Sequence, residues 1–144
     1  MSTMEKKMKH LEMIQGVINR MAHNSFLLKG WSVTIVAGLL ALSVATKEKI
    51  ALIFIALIPI VVFWILDGYF LWMERLFREV YKHVAQKEES QIDFDMNFKD
   101  FIRGRNRWIP TIFSNTLVIF YLSLLVTLGI VIAFLMLYKP IPQI

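Results

Sequence analysis

The chain contains no cysteine among its 144 residues, and it has few of the other residues that build catalytic sites. Without thiols it forms no disulfides and no iron–sulfur clusters. Its three histidines, His10, His23 and His83, are too widely spaced for a His-x-x-x-His metal site. The six glycines form no phosphate-binding loop. We therefore expect a protein that is not an enzyme and that has no cofactor.

Charge is also scarce, and it is unevenly placed. Charged residues make up 19% of the chain and hydrophobic residues 57%, and the mean hydropathy is +0.58. Soluble domains lie closer to half apolar and one quarter charged. Three windows are almost free of charge and are long enough to cross a bilayer as helices. The pattern predicts an all-α membrane protein with three transmembrane helices.

These windows divide the chain into six predicted parts. The polar start is too long for a cleaved signal peptide, and no helix breaker separates the second window from the residues that follow it. The parts are a cytoplasmic amphipathic helix (1–24), transmembrane helix 1 (25–46), transmembrane helix 2 (50–73), a cytoplasmic helix extension with a connector (74–110), transmembrane helix 3 (111–138) and an outer tail (139–144).

Residues 46–49 form a short polar break between the first two windows. Such a short break allows only a tight reversal, so we expect a helical hairpin. If Glu48 is the centre of the turn, Lys29 and Asp67 are each 19 positions from it. They then lie opposite each other about 28 Å down the two helices, at the inner edge of the hydrocarbon core. This depth favours a structural ion pair, and a gating or pore role is the alternative.

Both helices of the hairpin carry apolar residues at helical spacing beyond the membrane windows. We expect these two stripes to pack as an antiparallel cytoplasmic stalk, because a helix that emerges into water needs a packing partner. An interfacial membrane helix is the alternative for the first stripe. The expected contacts join Met8, Leu11, Ile18 and Met21 to Phe77, Val80 and Val84.

The connector that follows supports two interpretations. Ile92, Phe94, Met96 and Phe98 alternate with polar residues, as in a short strand. Alternatively, Asp95 is the N-cap of a short helix at the membrane surface, and we favour this second interpretation.

The distribution of basic residues predicts the topology. Of the 16 Lys and Arg residues, 13 lie in 1–29 and 74–110. Short loops rich in Lys and Arg remain in the cytoplasm, so the N-terminus is expected inside and the C-terminus outside. Nine of the 11 acidic residues share those segments. Most of the net charge of +5 is therefore topological and does not indicate nucleic-acid binding.

The third window carries a line of hydroxyl groups. Thr116, Ser123 and Thr127 are seven and four residues apart, so they share one helical face. Such hydroxyls either hydrogen-bond to neighbouring helices or line a water-filled path. Three spans do not enclose a pore alone, so a pore lined by these residues requires a symmetric oligomer.

Three arginines, Arg103, Arg105 and Arg107, precede the third window. They are either an anchor beside anionic lipid headgroups or a binding site for a nucleotide or oligonucleotide, because arginine binds phosphate through two parallel hydrogen bonds. Their spacing does not separate the two interpretations.

Four stretches of the chain resemble a group of small bacterial membrane proteins. They are HLEMIQ at 10–15, KGW at 29–31, FWILDGY at 63–69 and ERLFR at 74–78. Together with the close hairpin, they are similar to the SLATT-type effectors, including the channel partner of Hailong-type systems. The resemblance implies a pore-forming effector of anti-phage defence that depolarises the host and responds to a nucleotide-based signal from a partner enzyme.

These observations together predict a homo-oligomeric channel in the bacterial inner membrane, gated from the cytoplasmic side. A tetramer is the expected assembly, and the lipid bilayer and a regulatory protein are the other expected partners. The alternative is a non-conducting adaptor whose cytoplasmic stalk binds a protein partner.

Overall fold

A computed structural model describes residues 2–45 and 49–137. The described residues form helices and irregular segments and contain no strand, which confirms the all-helical prediction. The predicted turn at the 46–49 break and the predicted outer tail (139–144) fall wholly or mostly outside the described residues. The α-helices are α1 (Thr3–Ala45), α2 (Lys49–Gln86), α3 (Trp108–Ile112) and α4 (Asn115–Leu137), and short 3₁₀ turns occupy Glu89–Gln91, Lys99–Phe101 and Gly104–Asn106.

Helices α1, α2 and α4 are each long and apolar enough to cross a membrane. The chain therefore has the architecture of a multi-pass membrane protein. In each helix at most 22% of the most apolar window is buried inside the protein. Large apolar side chains such as Phe54, Ile119 and Ile130 are consequently exposed on the outside of the bundle. Such a surface suits lipid as the surrounding solvent.

The membrane part of the bundle has one apolar core. α1 and α2 bury small side chains, including Ser32 and Ala56, which let helices approach closely. α4 packs against this pair through one face. The buried members of the core are Val36, Ala56, Ile60, Leu117, Tyr121 and Leu128.

A second core lies where α1 and α2 extend beyond the membrane windows; we call this part the stalk. Ile14 and Ile18 of α1 cluster with Phe77, Val80 and Val84 of α2, as the two stripes predict.

The predicted contact of Met8 with this cluster is wrong, because Met8 is 56% exposed. From Met8 to Leu11 to Ile14 the chain advances by two steps of three residues. Each step of three falls about 60° short of a full helical turn. Met8 therefore lies about 120° away from Ile14 around the helix, outside the contact face.

The connector contains no α-helix capped by Asp95, so the favoured interpretation of this segment is wrong. The Asp95 carboxylate instead accepts a hydrogen bond from the Asn97 N–H at 2.9 Å. In the same way, the Asp93 side chain accepts from the Asp95 N–H, and the Asn97 side chain accepts from the Lys99 N–H. These local hydrogen bonds compete with helix formation. The apolar residues between them, among them Ile92, Met96 and Phe98, pack on the stalk. Packing on the stalk therefore replaces regular secondary structure in the connector.

The third predicted span (111–138) is not one continuous helix over its described residues. α3 ends at Ile112, and α4 begins at Asn115 after a break of two residues. Trp64 Nε1 donates a hydrogen bond to the Ile112 carbonyl at 2.9 Å. In a continuous helix this carbonyl would instead accept a backbone N–H four residues later. The 23 residues of α4 rise about 34 Å, close to the thickness of a bilayer core.

Candidate functional site

A polar junction joins the three long helices inside their apolar surroundings. It is centred on Asp67 of α2, whose side chain is fully buried. Ser25 Oγ of α1 donates to Asp67 Oδ1 at 2.5 Å. Lys29 Nζ of α1 and Tyr121 Oη of α4 donate to Asp67 Oδ2 at 2.5 and 3.2 Å. A single carboxylate therefore accepts hydrogen bonds from both of the other long helices.

The positive charge of Lys29 balances the carboxylate. Its ammonium group also contacts Ser25 Oγ at 2.9 Å, and it lies 5.9 Å from the centre of the Phe120 ring. The side chain of Lys29 is 21% exposed, whereas that of Asp67 is not exposed at all. A buried charge is tolerated when it is paired and hydrogen-bonded. The junction is therefore a nearly neutral unit, and removal of one member leaves the other charge without compensation.

Aromatic side chains hold α4 in place beside the junction. The Trp64 ring stacks on the Tyr121 ring, with centroids 5.6 Å apart and planes 7° apart. The indole N–H of Trp64 also donates to the Ile112 carbonyl at the end of α3. Trp64 thus contacts both sides of the break between α3 and α4, and it positions the Tyr121 hydroxyl towards Asp67.

The hydroxyl stripe of α4 points away from this junction. Thr116, Ser123 and Thr127 are all exposed, and the buried face of the helix is formed by Leu117, Tyr121 and Leu128. Ser123 Oγ donates to the Phe120 carbonyl at 2.7 Å, and Thr127 Oγ1 donates to the Ser123 carbonyl at 2.9 Å. Their hydrogens are therefore satisfied within the helix. Both side chains lie on the outside of the helical bundle.

The three arginines do not share one described site. Arg103 lines a cleft of about 440 Å³ between the end of α2 and the connector. Arg107 is exposed at the start of α3, where its carbonyl accepts Thr111 Oγ1 at 2.8 Å. The side chain of Arg105 lies outside the described part of the structure. The cleft has mixed charge, and its other lining residues include Glu79, His83, Lys87, Asp95 and Asp100.

Comparisons with known proteins identify no relative of this chain. No protein-family model, curated protein or solved structure matches this chain. Among the described residues, no group of three or more His, Cys, Asp or Glu side chains is placed to hold a metal ion. Side-chain geometry and the sequence resemblance are therefore the two supports for a functional proposal.

Ser25 and Tyr121 are members of the junction that sequence reasoning missed. Ser25 was within reach, because it lies one helical turn from Lys29 on the face that meets α2. Tyr121 had no comparable signal. A connector of more than twenty residues separates α2 from α4, and a chain of that length does not set the register between two helices.

Proposed function

We propose that this chain is a homo-oligomeric channel of the bacterial inner membrane that is opened from the cytoplasmic side. A tetramer is the assembly we expect. In line with the resemblance to SLATT-type effectors, its role would be to depolarise the cell in anti-phage defence, in response to a nucleotide-linked signal or a regulatory protein.

The observation that carries the proposal is the outward-facing hydroxyl stripe of α4. Ser123 and Thr127 are exposed on a helix that contains no charged residue between Asn115 and Leu137. An oligomer that places these faces around its axis would surround the axis with hydroxyl oxygens, which replace part of the hydration shell of a passing ion. The same faces turned to lipid would have no such role.

The polar junction supplies a route from the stalk to the pore. α1 and α2 form the stalk, and they also carry the ion pair, with Lys29 on α1 and Asp67 on α2. Tyr121 connects this pair to α4, the proposed pore helix. If α4 moves relative to the hairpin, the Tyr121–Asp67 hydrogen bond breaks; if the bond is kept, α4 moves together with Asp67. We infer that a signal at the stalk reaches α4 through this contact.

A flux assay on purified protein in liposomes tests the proposal. We expect ion flux from the wild-type chain, and we expect Thr127→Leu to reduce it sharply, because leucine removes an oxygen and narrows the axis. Leu122→Ile is the matched control, since Leu122 is an exposed apolar residue of the same helix that lies off the hydroxyl stripe. Absence of flux with and without added nucleotides, in protein that is correctly assembled, would contradict the channel.

One observation favours the adaptor as a second candidate. Met4 and Met8 are each 56% exposed on the stalk, where they border a shallow groove with Glu5, Lys9 and Glu12. Methionine-rich faces adapt to partner proteins. An adaptor would conduct nothing, and Met4→Ser with Met8→Ser would abolish its cellular effect while leaving its assembly in the membrane unchanged.

A further inference from the structure

Two tryptophans of α2 hold the short helix α3 against the bundle. Trp72 Nε1 donates to the Asn106 carbonyl at 2.8 Å, just before α3 begins. Trp64 Nε1 donates to the Ile112 carbonyl, where α3 ends. Gly68 lies midway between the two tryptophans, about one helical turn from each, and its missing side chain leaves room for Ile112. α3 is therefore fixed at both ends, and this determines which of its side chains face outward.

The outward side of α3 is apolar. Ile109 and Phe113 are 67% and 65% exposed, and Trp108 is exposed as well, whereas Thr111 is buried. Ile109 and Phe113 are four residues apart, the spacing that places side chains on one side of a helix. A contiguous exposed apolar patch marks a surface that contacts lipid or another molecule. This side of α3 therefore needs an apolar neighbour.

α3 lies at the level where the apolar spans end on the stalk side. It contacts α2 at Gly68, next to Asp67 of the ion pair. Trp31 and Tyr69, two residues beyond Lys29 and Asp67 in the sequence, are both exposed. Exposed tryptophan and tyrosine are typical of the membrane–water interface. This ring of aromatic side chains places α3 at the level of the lipid headgroups.

The positive charge of Arg107, directly before α3, is not balanced nearby. Its side chain is exposed, and within the described part of the chain no carboxylate forms an ion pair with it. Residues 101–137 include three arginines and no acidic residue. Asp67, on the stretch of α2 that α3 contacts, is buried and already paired with Lys29. The surface of α3 thus combines an available guanidinium group with exposed apolar side chains.

We propose that α3 is a binding site for an anionic phospholipid such as phosphatidylglycerol. The Arg107 guanidinium binds the headgroup phosphate, because arginine forms strong hydrogen bonds to phosphate oxygens. Ile109 and Phe113 contact the acyl chains of the same lipid. A headgroup with a net negative charge is preferred, because the choline of phosphatidylcholine would offset the attraction of the phosphate for Arg107. The inference does not depend on whether the protein conducts ions.

Site-specific fluorescence quenching on the full-length protein tests this site. The chain has no cysteine, so Ile109→Cys accepts a single apolar fluorophore on α3. The protein is reconstituted into phosphatidylcholine vesicles that contain increasing fractions of bromine-labelled phosphatidylglycerol or bromine-labelled phosphatidylcholine. We expect half-maximal quenching at an about fivefold lower fraction of phosphatidylglycerol, the factor that one basic residue contributes near an anionic surface.

Arg107→Gln should remove the preference for phosphatidylglycerol and leave quenching by phosphatidylcholine unchanged. Lys82→Gln is the matched control, because it removes the same charge from a side chain of the stalk that is 66% exposed. Lys82 lies ten residues beyond Trp72 on α2, or about 15 Å, which exceeds the screening length of about 8–10 Å. Equal quenching by the two lipids in the wild type, or the same loss in both variants, would overturn the proposal.

A second label keeps the test decisive if Arg107→Gln does not assemble. Ile58 is exposed on α2, ten residues from Gly68 towards the middle of the span. A fluorophore at Ile58→Cys should be quenched equally by the two lipids. In the protein labelled at Ile109→Cys, added salt should reduce the preference for phosphatidylglycerol, because salt screens exposed charges. An equal preference at both labels, or one that salt does not change, would contradict a site at α3.

Glycerol phosphate, the free headgroup, distinguishes a lipid from a soluble phosphate compound. At constant ionic strength it should not remove the preference for phosphatidylglycerol, because the lipid is also held through its acyl chains. If it does remove the preference, Arg107 binds a soluble phosphate compound and the lipid proposal is wrong.

Discussion

At the scale of single residues, Asp67 makes the contacts that connect the three long helices. Its carboxylate accepts from Ser25, Lys29 and Tyr121. Hydrogen bonds to a charged group are about twice as strong as those between neutral groups, and here they lie in surroundings from which water is mostly excluded. The same contacts would stabilise either a fixed junction or a gate.

Asp67→Asn should destabilise the folded protein by on the order of 3 kcal/mol, because it leaves the Lys29 ammonium partly buried and unpaired. The expected readouts are a lower unfolding temperature in detergent and less folded oligomer by size-exclusion chromatography. Asp93→Asn is the matched control, since the Asp93 side chain is 52% exposed in its ion pair with Lys87, and exposed pairs contribute little.

Tyr121→Phe should destabilise the protein less than Asp67→Asn does. It removes one hydrogen bond to Asp67 but keeps the ring that stacks on Trp64, so the loss should be smaller, about 1.5 kcal/mol. If Asp67→Asn has wild-type stability and assembly but altered ion flux, the structural interpretation of the pair is wrong and Asp67 acts in gating.

At the scale of elements, the approach of α3 to α2 determines where the third span begins. A Cβ atom at Gly68 would lie 2.6 Å from Ile112 Cγ1 and 3.3 Å from Ile112 Cα. Glycine at this position therefore permits the close approach of the two helices. It also allows Trp64, one turn earlier on α2, to hydrogen-bond to the Ile112 carbonyl.

Gly68→Ala should displace α3 and destabilise the protein by about 1–3 kcal/mol, the usual cost of added volume in a packed site. The displacement should also weaken the Trp64 contact, which a change in tryptophan fluorescence would report. Gly129→Ala is the control, because nothing lies within 4 Å of a Cβ at that position in the described structure. Equal stability of the two variants would show that α3 adjusts without cost.

At the scale of the whole molecule, three helices are long and apolar enough to cross a membrane, and we expect them to leave the two ends of the chain on opposite sides of it. We expect the stalk and connector on the same side as the N-terminus, and the segments 1–24 and 74–110 carry 12 of the 16 basic residues. The bias of basic residues towards the cytoplasm therefore predicts a cytoplasmic stalk.

Fusion reporters check this orientation. Green fluorescent protein fused to the N-terminus should fluoresce, and alkaline phosphatase fused to the C-terminus should be active, because the latter folds only outside the cytoplasm. Fusions of the same reporters exchanged between the two ends are the control and should both be inactive. The reverse pattern would place the stalk outside and would contradict gating from the cytoplasm.

Much of the fold could be predicted from the sequence, because the bilayer imposes strong constraints on it. A helix that crosses lipid needs a long apolar window, so three such windows predict three long helices. The short break at 46–49 restricts how α1 and α2 can pair, and for this reason the sequence predicts the pairing of Lys29 with Asp67.

Only the tertiary structure decided how the rest of the chain meets this hairpin. The position of Tyr121 beside Asp67, the break after Ile112 and the burial of His10 all depend on a connector that is too long to set a register. Local preference at Asp95 suggested a helix, but packing of the connector on the stalk prevailed. Short-range constraints are therefore readable from the sequence, whereas contacts across a long connector depend on the packing energy of the whole molecule.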